Sequence, residues 1–398
     1  MSARSWCIIL LCLNNLFESE SQFRLPESYK SVPNIIRGAG YPAEEHRALT
    51  PDGYILQLHR IPTGRGLSRS SGVNKKAVLI LHGVFGCSSN FILMGPGKSL
   101  GFMLADAGYD VWLGNLRGNR HTAHLNLTRD NPKFWEYSFH EHGKYDVPVL
   151  IDKVLAVTGQ SSLLYIGHSM GTTSFFITAS LRPEYNHKVV AFVGLAPAVY
   201  FDHMKWLADF LLKSLKIVNW LRERGFMTLG LPPVLMELFI RSVCSTKNPR
   251  DNFCVFMTQN LVGENFDQVD PNVTTQMMTR VQPASWRQFE HYGKIALTSV
   301  FTSLDDGVLG DAKPYNLSNI RVPIVLLYGE NDQIAEKSQV MRLARELNNT
   351  GMLEQIEPAC SLPKFNHVDF LFSKDIAPLL NKPLVQKVKQ LFEKYSYR

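Results

Sequence analysis

A serine placed to act as a nucleophile stands in the run Leu163-Leu164-Tyr165-Ile166-Gly167-His168-Ser169-Met170-Gly171-Thr172-Thr173. An apolar stretch leads into G-x-S-x-G, and small residues compatible with a helix follow, so the run reads as strand, tight turn, helix. Gly167 and Gly171 supply room that side chains would deny the turn. Such a turn aims Ser169 Oγ at the top of a sheet. It also sets the next N–H at a helix N-terminus, where it can stabilise an oxyanion.

A serine hydroxyl is a poor nucleophile at neutral pH and needs a base that is itself oriented by an acid. With the serine on this kind of turn, the partners follow in the order acid, then histidine, each on a loop leaving the C-terminal end of a strand. Asp332 is the expected acid, because Gly329-Glu330-Asn331-Asp332 directly follows an apolar strand over 322–328. Glu330 shares that strand end, and Asp305, Asp306 and Asp311 also compete; a plain turn or N-cap aspartate is the structural alternative for Asp332. His187, His203, His291 and His367 follow the serine, and of these His367 alone lies beyond the acid, in Lys364-Phe365-Asn366-His367-Val368-Asp369-Phe370. Asp369 is too close to His367 in the chain to orient it. The two oxyanion donors are expected to be the backbone N–H groups of Met170 and of Val84, the latter in His82-Gly83-Val84 after a strand over 77–81. His82 is read as a loop-packing side chain.

These residues need a sheet to hold them. Thr50-Pro51-Asp52-Gly53 signals a turn, and the alternation that follows it predicts a β-hairpin up to about Arg60. Residues 63–76, rich in Gly, Ser and Arg, read as an exposed loop. Short apolar runs at 77–81, 109–113, 163–166, 189–197 and 322–329 lack polar alternation, as buried parallel strands do. Helical stretches at 99–107 and 147–158 separate some of them, which predicts an α/β fold with both faces of the sheet covered. From about Val199 the pattern changes. Met204, Leu207, Leu211, Leu215 and Val218 form one stripe of an amphipathic helix over 203–225, with Lys205, Asp209, Lys216 and Glu223 opposite. Helical, Met- and Phe-rich sequence continues to about Thr302, and the block 199–302 is expected to be a mainly helical cap inserted between core segments 22–198 and 303–398.

The chain has 398 residues, 45% apolar and 19% charged, enough for a large core and too few charges for disorder. Its net charge of +7 is scattered, with no basic run longer than a pair, which points away from nucleic acid. Arg4 precedes the apolar segment Trp6 to Leu13, and Glu18-Ser19-Glu20-Ser21 follows, so residues 1–21 read as an export signal too short to span a bilayer. Sequons at Asn126, Asn272, Asn316 and Asn348 agree with a secretory route. Cys7 and Cys12 would leave with the leader. Of the remaining four, Cys244 and Cys254 close a short loop and are the expected disulfide; a second bridge, Cys87 to Cys360, is a hypothesis.

Many linked motifs in order make the chain resemble the acid lipases of the gastric and lysosomal type, within the α/β-hydrolases. They include Glu44-Glu45-His46, Asp52-Gly53-Tyr54-Ile55-Leu56, His59-Arg60-Ile61-Pro62, His82-Gly83, Gly114-Asn115 and Arg117-Gly118-Asn119. Phe134-Trp135-Glu136-Tyr137-Ser138-Phe139-His140-Glu141, Tyr145-Asp146-Val147-Pro148, Gly167 to Thr173 and Asn366-His367-Val368-Asp369-Phe370 continue the match. The resemblance implies a capped α/β-hydrolase that cleaves acyl esters of glycerol or cholesterol at a lipid–water interface with no metal and no cofactor. It also implies the triad Ser169, Asp332 and His367 and a cap disulfide Cys244–Cys254. The chain departs from the family in three places: Met170 replaces a common Gln, the stretch between Phe301 and Asn316 is shortened, and the cap is only loosely similar. The role of Met170 is backbone-borne, so activity should survive; the other two regions bear on the acyl pocket and lid. The expectation is therefore a secreted, or alternatively lysosomal, serine lipase whose membrane contact is peripheral. The rivals are an esterase for smaller or specialised esters and a non-catalytic lipid-binding protein.

Overall fold

The computed structural model describes residues 30–66, 75–204 and 246–396, with isolated positions between 209 and 244. Residues 1–21, read from sequence as an export signal, most of the amphipathic stretch 203–225 and residues 67–74 of the Gly/Ser/Arg-rich loop lie outside the described residues.

Helix α1 (Val32–Gly38) is N-capped by Ser31 and leads to the hairpin β1 (Glu44–Leu49) and β2 (Tyr54–Ile61). The hairpin pairs antiparallel from Glu44↔Arg60 to Leu49↔Ile55. Its turn ends at Gly53, whose φ of +94° suits a residue without Cβ. Then come β3 (Ala77–Leu81), α2 (Leu100–Asp106), β4 (Asp110–Gly114) and the two-residue β5 (Ala123–His124). Helix α3 (Val147–Thr158) stops at Gly159, a left-handed C-cap, and is followed by β6 (Leu163–His168), α4 (Met170–Leu181) and β7 (Val189–Leu195). β7 ends two residues short of the expected boundary because Ala196 turns at φ +49°.

Between β7 and the next long strand lie β8 (Thr228–Leu229), α5 (Phe253–Val262), α6 (Pro271–Thr279), β9 (Ala284–Ser285) and α7 (Trp286–Thr298). The chain returns through β10 (Ile324–Tyr328), α8 (Lys337–Asn348), β11 (Leu353–Pro358) and α9 (Lys382–Tyr395). The main sheet runs β1-β2-β4-β3-β6-β7-β10-β11, with β5 on β2. Strands β4 to β11 in that order are parallel, and β1, β2 and β4 pair antiparallel.

Every residue of β3, β4, β6, β7 and β10 is buried, which is why their sequences carry no polar alternation. Side chains such as Ile80, Leu164, Val193 and Leu326 are fully buried; each contributes about 2 kcal/mol of transfer free energy. The helices close over them with apolar stripes, Val340, Leu343, Ala344 and Leu347 on α8 for example.

Cys244 and Cys254 are joined. Asn252 braces that loop: its Oδ1 accepts from Cys254 and Val255 N–H and its Nδ2 donates to the Cys244 and Thr246 carbonyls. The hypothetical bridge between Cys87 and Cys360 is not formed, and both thiols are free. Cys87 follows β3 and Cys360 follows β11, four strands away. That is roughly 19 Å across a sheet, against the 7 Å or so between Cα atoms that a disulfide tolerates.

Candidate active site

β6 lies at the middle of the sheet and α4 leaves from its C-terminal end. Ser169 joins them at φ 53°, ψ −120°, a conformation costing on the order of 1–3 kcal/mol that the surroundings must impose. They do so by close approach. A Cβ on Gly171 would stand 2.5 Å from the Leu81 carbonyl, and one on Gly167 would stand 2.8 Å from the Gly171 backbone. Ser169 N–H is held by Leu195 O at 3.0 Å, and its own carbonyl accepts from Thr172 N–H at 2.8 Å.

Ser169 Oγ–H donates to His367 Nε2 at 2.9 Å, and His367 Nδ1–H donates to Asp332 Oδ2 at 2.8 Å. The tautomer follows from the carboxylate on Nδ1. Asp332 Oδ1 accepts from Ile334 and Ala335 N–H, each at 2.8 Å, so the carboxylate is oriented by backbone. All three side chains are buried. Among the competing acids, Glu330 is paired with Lys337, and Asp305, Asp306 and Asp311 are exposed around a loop in which Asp306 pairs with Lys313.

Met170 is the first residue of α4, where an N–H has no intrahelical acceptor. Val84 lies in the turn 83–86, and its N–H donates to no described backbone group. Gly83 brings that turn against the serine: a Cβ there would be 2.8 Å from Ser169 Cβ and 3.2 Å from Oγ. His82 packs the loop, as expected. Its Nδ1–H donates to Gly83 O, its Nε2 accepts from Leu116 N–H, and burial pushes it down to about 4. The Arg117-Gly118-Asn119 loop beneath is anchored by Arg117, which donates to both Asp146 and Asp52. Burial nonetheless lifts Asp146 to about 6, a larger effect than the pull of the guanidinium.

Two family models match the chain: the partial alpha/beta-hydrolase lipase region over residues 32–95 and the alpha/beta hydrolase fold over 76–368. The gastric triacylglycerol lipase of Bos taurus is 34% identical over 393 residues, 93% of this chain and 95% of that one. The chain belongs to the gastric- and lysosomal-type lipase family of α/β-hydrolases. Lipase 1 of Drosophila melanogaster is 35% identical over 90% of this chain and 80% of its own. A putative lysosomal acid lipase/cholesteryl ester hydrolase of Crotalus adamanteus is 31% identical over 92% of both. Among solved structures, a bacterial membrane phospholipase A superposes with a TM-score of 0.50 at 15% identity, covering 98% of each chain, a likeness of fold.

This lipase is thus an ester hydrolase, and one described cavity lies away from the triad geometry. That cavity, about 480 Å³ and lined by Ser162, Asn186, Asn319 and Arg321, opens at the N-terminal ends of the strands. Ser169 sits at the other end of β6, about 20 Å along a six-residue strand. Beside Ser169 the segment inserted between β7 and β10 is packed down. Gln282 N–H donates to Phe85 O, and Gln288 Nε2 donates to Met170 Sδ at 3.2 Å. Reasoning from sequence missed a second set of contacts, from Gln259, Gly263 and Asn265 to the acid and histidine loops. No motif marks them.

Proposed function

We propose that Ser169 attacks the ester carbonyl, His367 takes its proton and returns it to the leaving alcohol, and Asp332 holds the imidazolium. The N–H groups of Val84 and Met170 bind the oxyanion. An acyl-enzyme forms on Ser169, and water releases the acid by the same steps in reverse. The observation that carries this reading is the continuous hydrogen-bond chain from Ser169 through His367 to Asp332, built on a strained serine backbone.

The substrate class is a lipid acyl ester, a triacylglycerol or cholesteryl ester, met at a lipid–water interface; the names of the bovine and snake relatives support it. Residues 199–302 form the cap and lid that select the acyl chain, between core segments 22–198 and 303–398. Residues 1–21 direct the chain into the secretory route, toward secretion rather than the lysosome. The four sequon asparagines, Asn126, Asn272, Asn316 and Asn348, are all exposed, as glycosylation requires. Contact with lipid is peripheral, and no helix among the described residues is long and apolar enough to cross a membrane.

Ser169→Ala should abolish labelling by a fluorophosphonate probe, while the wild type labels. Equal labelling of both would reject the nucleophile. Rates on a chain-length series, from soluble esters to emulsified triacylglycerols and cholesteryl esters, separate a lipase from a short-chain esterase. A maximum on soluble esters would reject the lipid assignment.

A further inference from the structure

The loops that carry Asp332 and His367 leave different strands, yet both lean on one stretch of the inserted segment, residues 259–268. On the acid side, Asn331 Nδ2 donates to Glu264 O at 3.0 Å and Gln333 N–H donates to Val262 O at 3.2 Å. Gly263, at φ +108°, packs so closely on the Asn331 carbonyl that a Cβ would collide with it. On the histidine side, Asn366 Nδ2 donates to Gly263 O at 2.6 Å. Asp369 Oδ2 accepts from Asn366 N–H at 2.9 Å and from Asn265 Nδ2 at 2.6 Å. Gln259 Oε1 accepts from Asn265 N–H. Gln259, Asn265, Asn366 and Asp369 are each 2% exposed or less. A polar network this dry is stiff when complete, and costly when one partner is removed.

We propose that Asp369, latched to Asn265, is a positioning residue for the Asp332–His367 pair, so that the cap holds the acid and base loops in register. The inference rests on the assignment of that pair as acid and base. Asp369 does not touch the imidazole; it acts through the backbone of Asn366 and through its charge. A carboxylate two residues from His367 favours the positive charge that the imidazole takes on in the transition state.

That charge is adjustable. Burial raises the Asp369 carboxyl, the donors Asn265 and Asn366 lower it, and the Asp332 charge raises it again, to about 6. The titratable groups around it are Asp332 on the acid loop, His367 and Cys360 on its own segment, and His168, whose ring lies 5.0 Å from that of His367. The cap contributes the uncharged Gln259 and Asn265. Because Oδ2 takes both hydrogen bonds, a proton enters at Oδ1 and leaves the latch closed. In acid the latch therefore keeps its geometry and loses its charge.

The test measures kcat and KM on a soluble short-chain ester at pH 5 and pH 7.5. Asp369→Leu and Asn265→Leu, which break the latch from opposite sides, should lower kcat about tenfold at both pH values with KM within about twofold. Asp369→Asn, which imitates the protonated latch, should match the wild type within about twofold at pH 5 and fall roughly fivefold behind at pH 7.5. Unchanged kcat in both leucine variants, or an Asp369→Asn as slow as Asp369→Leu at pH 5, overturns the proposal. If the leucine variants do not fold, the two-pH comparison of Asp369→Asn with wild type decides, and a ratio that does not change with pH overturns it. Ser169→Ala runs alongside with the fluorophosphonate probe. A labelled Ser169→Ala rejects the triad, whereas an unlabelled one with indifferent latch variants rejects the latch alone.

Discussion

At Asp332 the two carboxylate oxygens have separate work. Oδ1 is occupied by the Ile334 and Ala335 N–H groups, and Oδ2 receives His367 Nδ1–H. Asp332→Asn keeps the first and turns an amide N–H₂ toward the imidazole. The ring must then carry its proton on Nε2, where it can no longer accept from the serine. A fall in kcat of about ten thousandfold is expected, with little change in melting temperature, since the substitution is isosteric and keeps the backbone contacts. A loss of less than tenfold would show that Asp332 does not set the tautomer. That Asp332 rather than Glu330 meets the histidine could not be read from strand-end position, which both share. The difference lies in which side chain the turn aims inward; Glu330 points out to Lys337.

Among the elements, strand β3, the turn after it and helix α4 must touch almost backbone to backbone, and three glycines permit it. They do not act alike. A methyl at Gly171 meets the Leu81 and His82 carbonyls at 2.5 and 3.0 Å, so strand and helix would have to separate. Gly171→Ala should cost about 3 kcal/mol in denaturant unfolding. A methyl at Gly83 meets the Ser169 side chain instead. Gly83→Ala should cost about 1 kcal/mol of stability but lower kcat at least roughly tenfold, because it displaces Ser169 Oγ, the proposed nucleophile. Equal stability losses with unimpaired kcat in Gly83→Ala would mean that the turn does not abut the proposed nucleophile, Ser169. The elbow was legible because its glycines are local punctuation between an apolar run and a helix. The latch at 259–268 was not, because its partners lie 67 or more positions away: Asn331 to Glu264 is the shortest of those spans.

The molecule as a whole stores several histidines in neutral form. His59, His82, His142, His168 and His291 are buried, and burial is the main reason each is pulled down. His142 is the extreme case: it is fully buried within a π-helical turn, 142–146, and neither ring nitrogen has a described partner. Below about pH 6.5 the unfolded chain protonates this ring and the folded one does not, so stability falls by about 1.4 kcal/mol per pH unit from this residue alone. Asp146 and Asp369, raised to about 6, work in the opposite direction, their folded forms binding protons more readily. His142→Leu removes one histidine contribution. Its melting temperature relative to wild type should therefore rise as pH is lowered from 7.5 to 5. A difference that stays constant with pH would show that His142 takes up its proton in the fold as readily as in the unfolded chain.

The order of chemistry along the chain, the central strands and the helices at 99–107, at 147–158 and after Ser169 were determined by sequence alone, because each is local; α8 and α9 were not. An apolar run of five or six residues declares a buried strand. G-x-S-x-G declares a tight turn, and chain order then nominates His367 and an acid at the end of the strand over 322–328. What required tertiary structure was everything that depends on distance between loops. It placed Cys87 and Cys360 four strands apart, turned Glu330 away, and brought residues Gln259 to Gln268 of the inserted segment against both the Asp332 and the His367 loops. Sequence proximity to a motif carries no information on such separations. They are set by strand order in the sheet and by where an insertion folds back, and those follow from the packing of the whole chain.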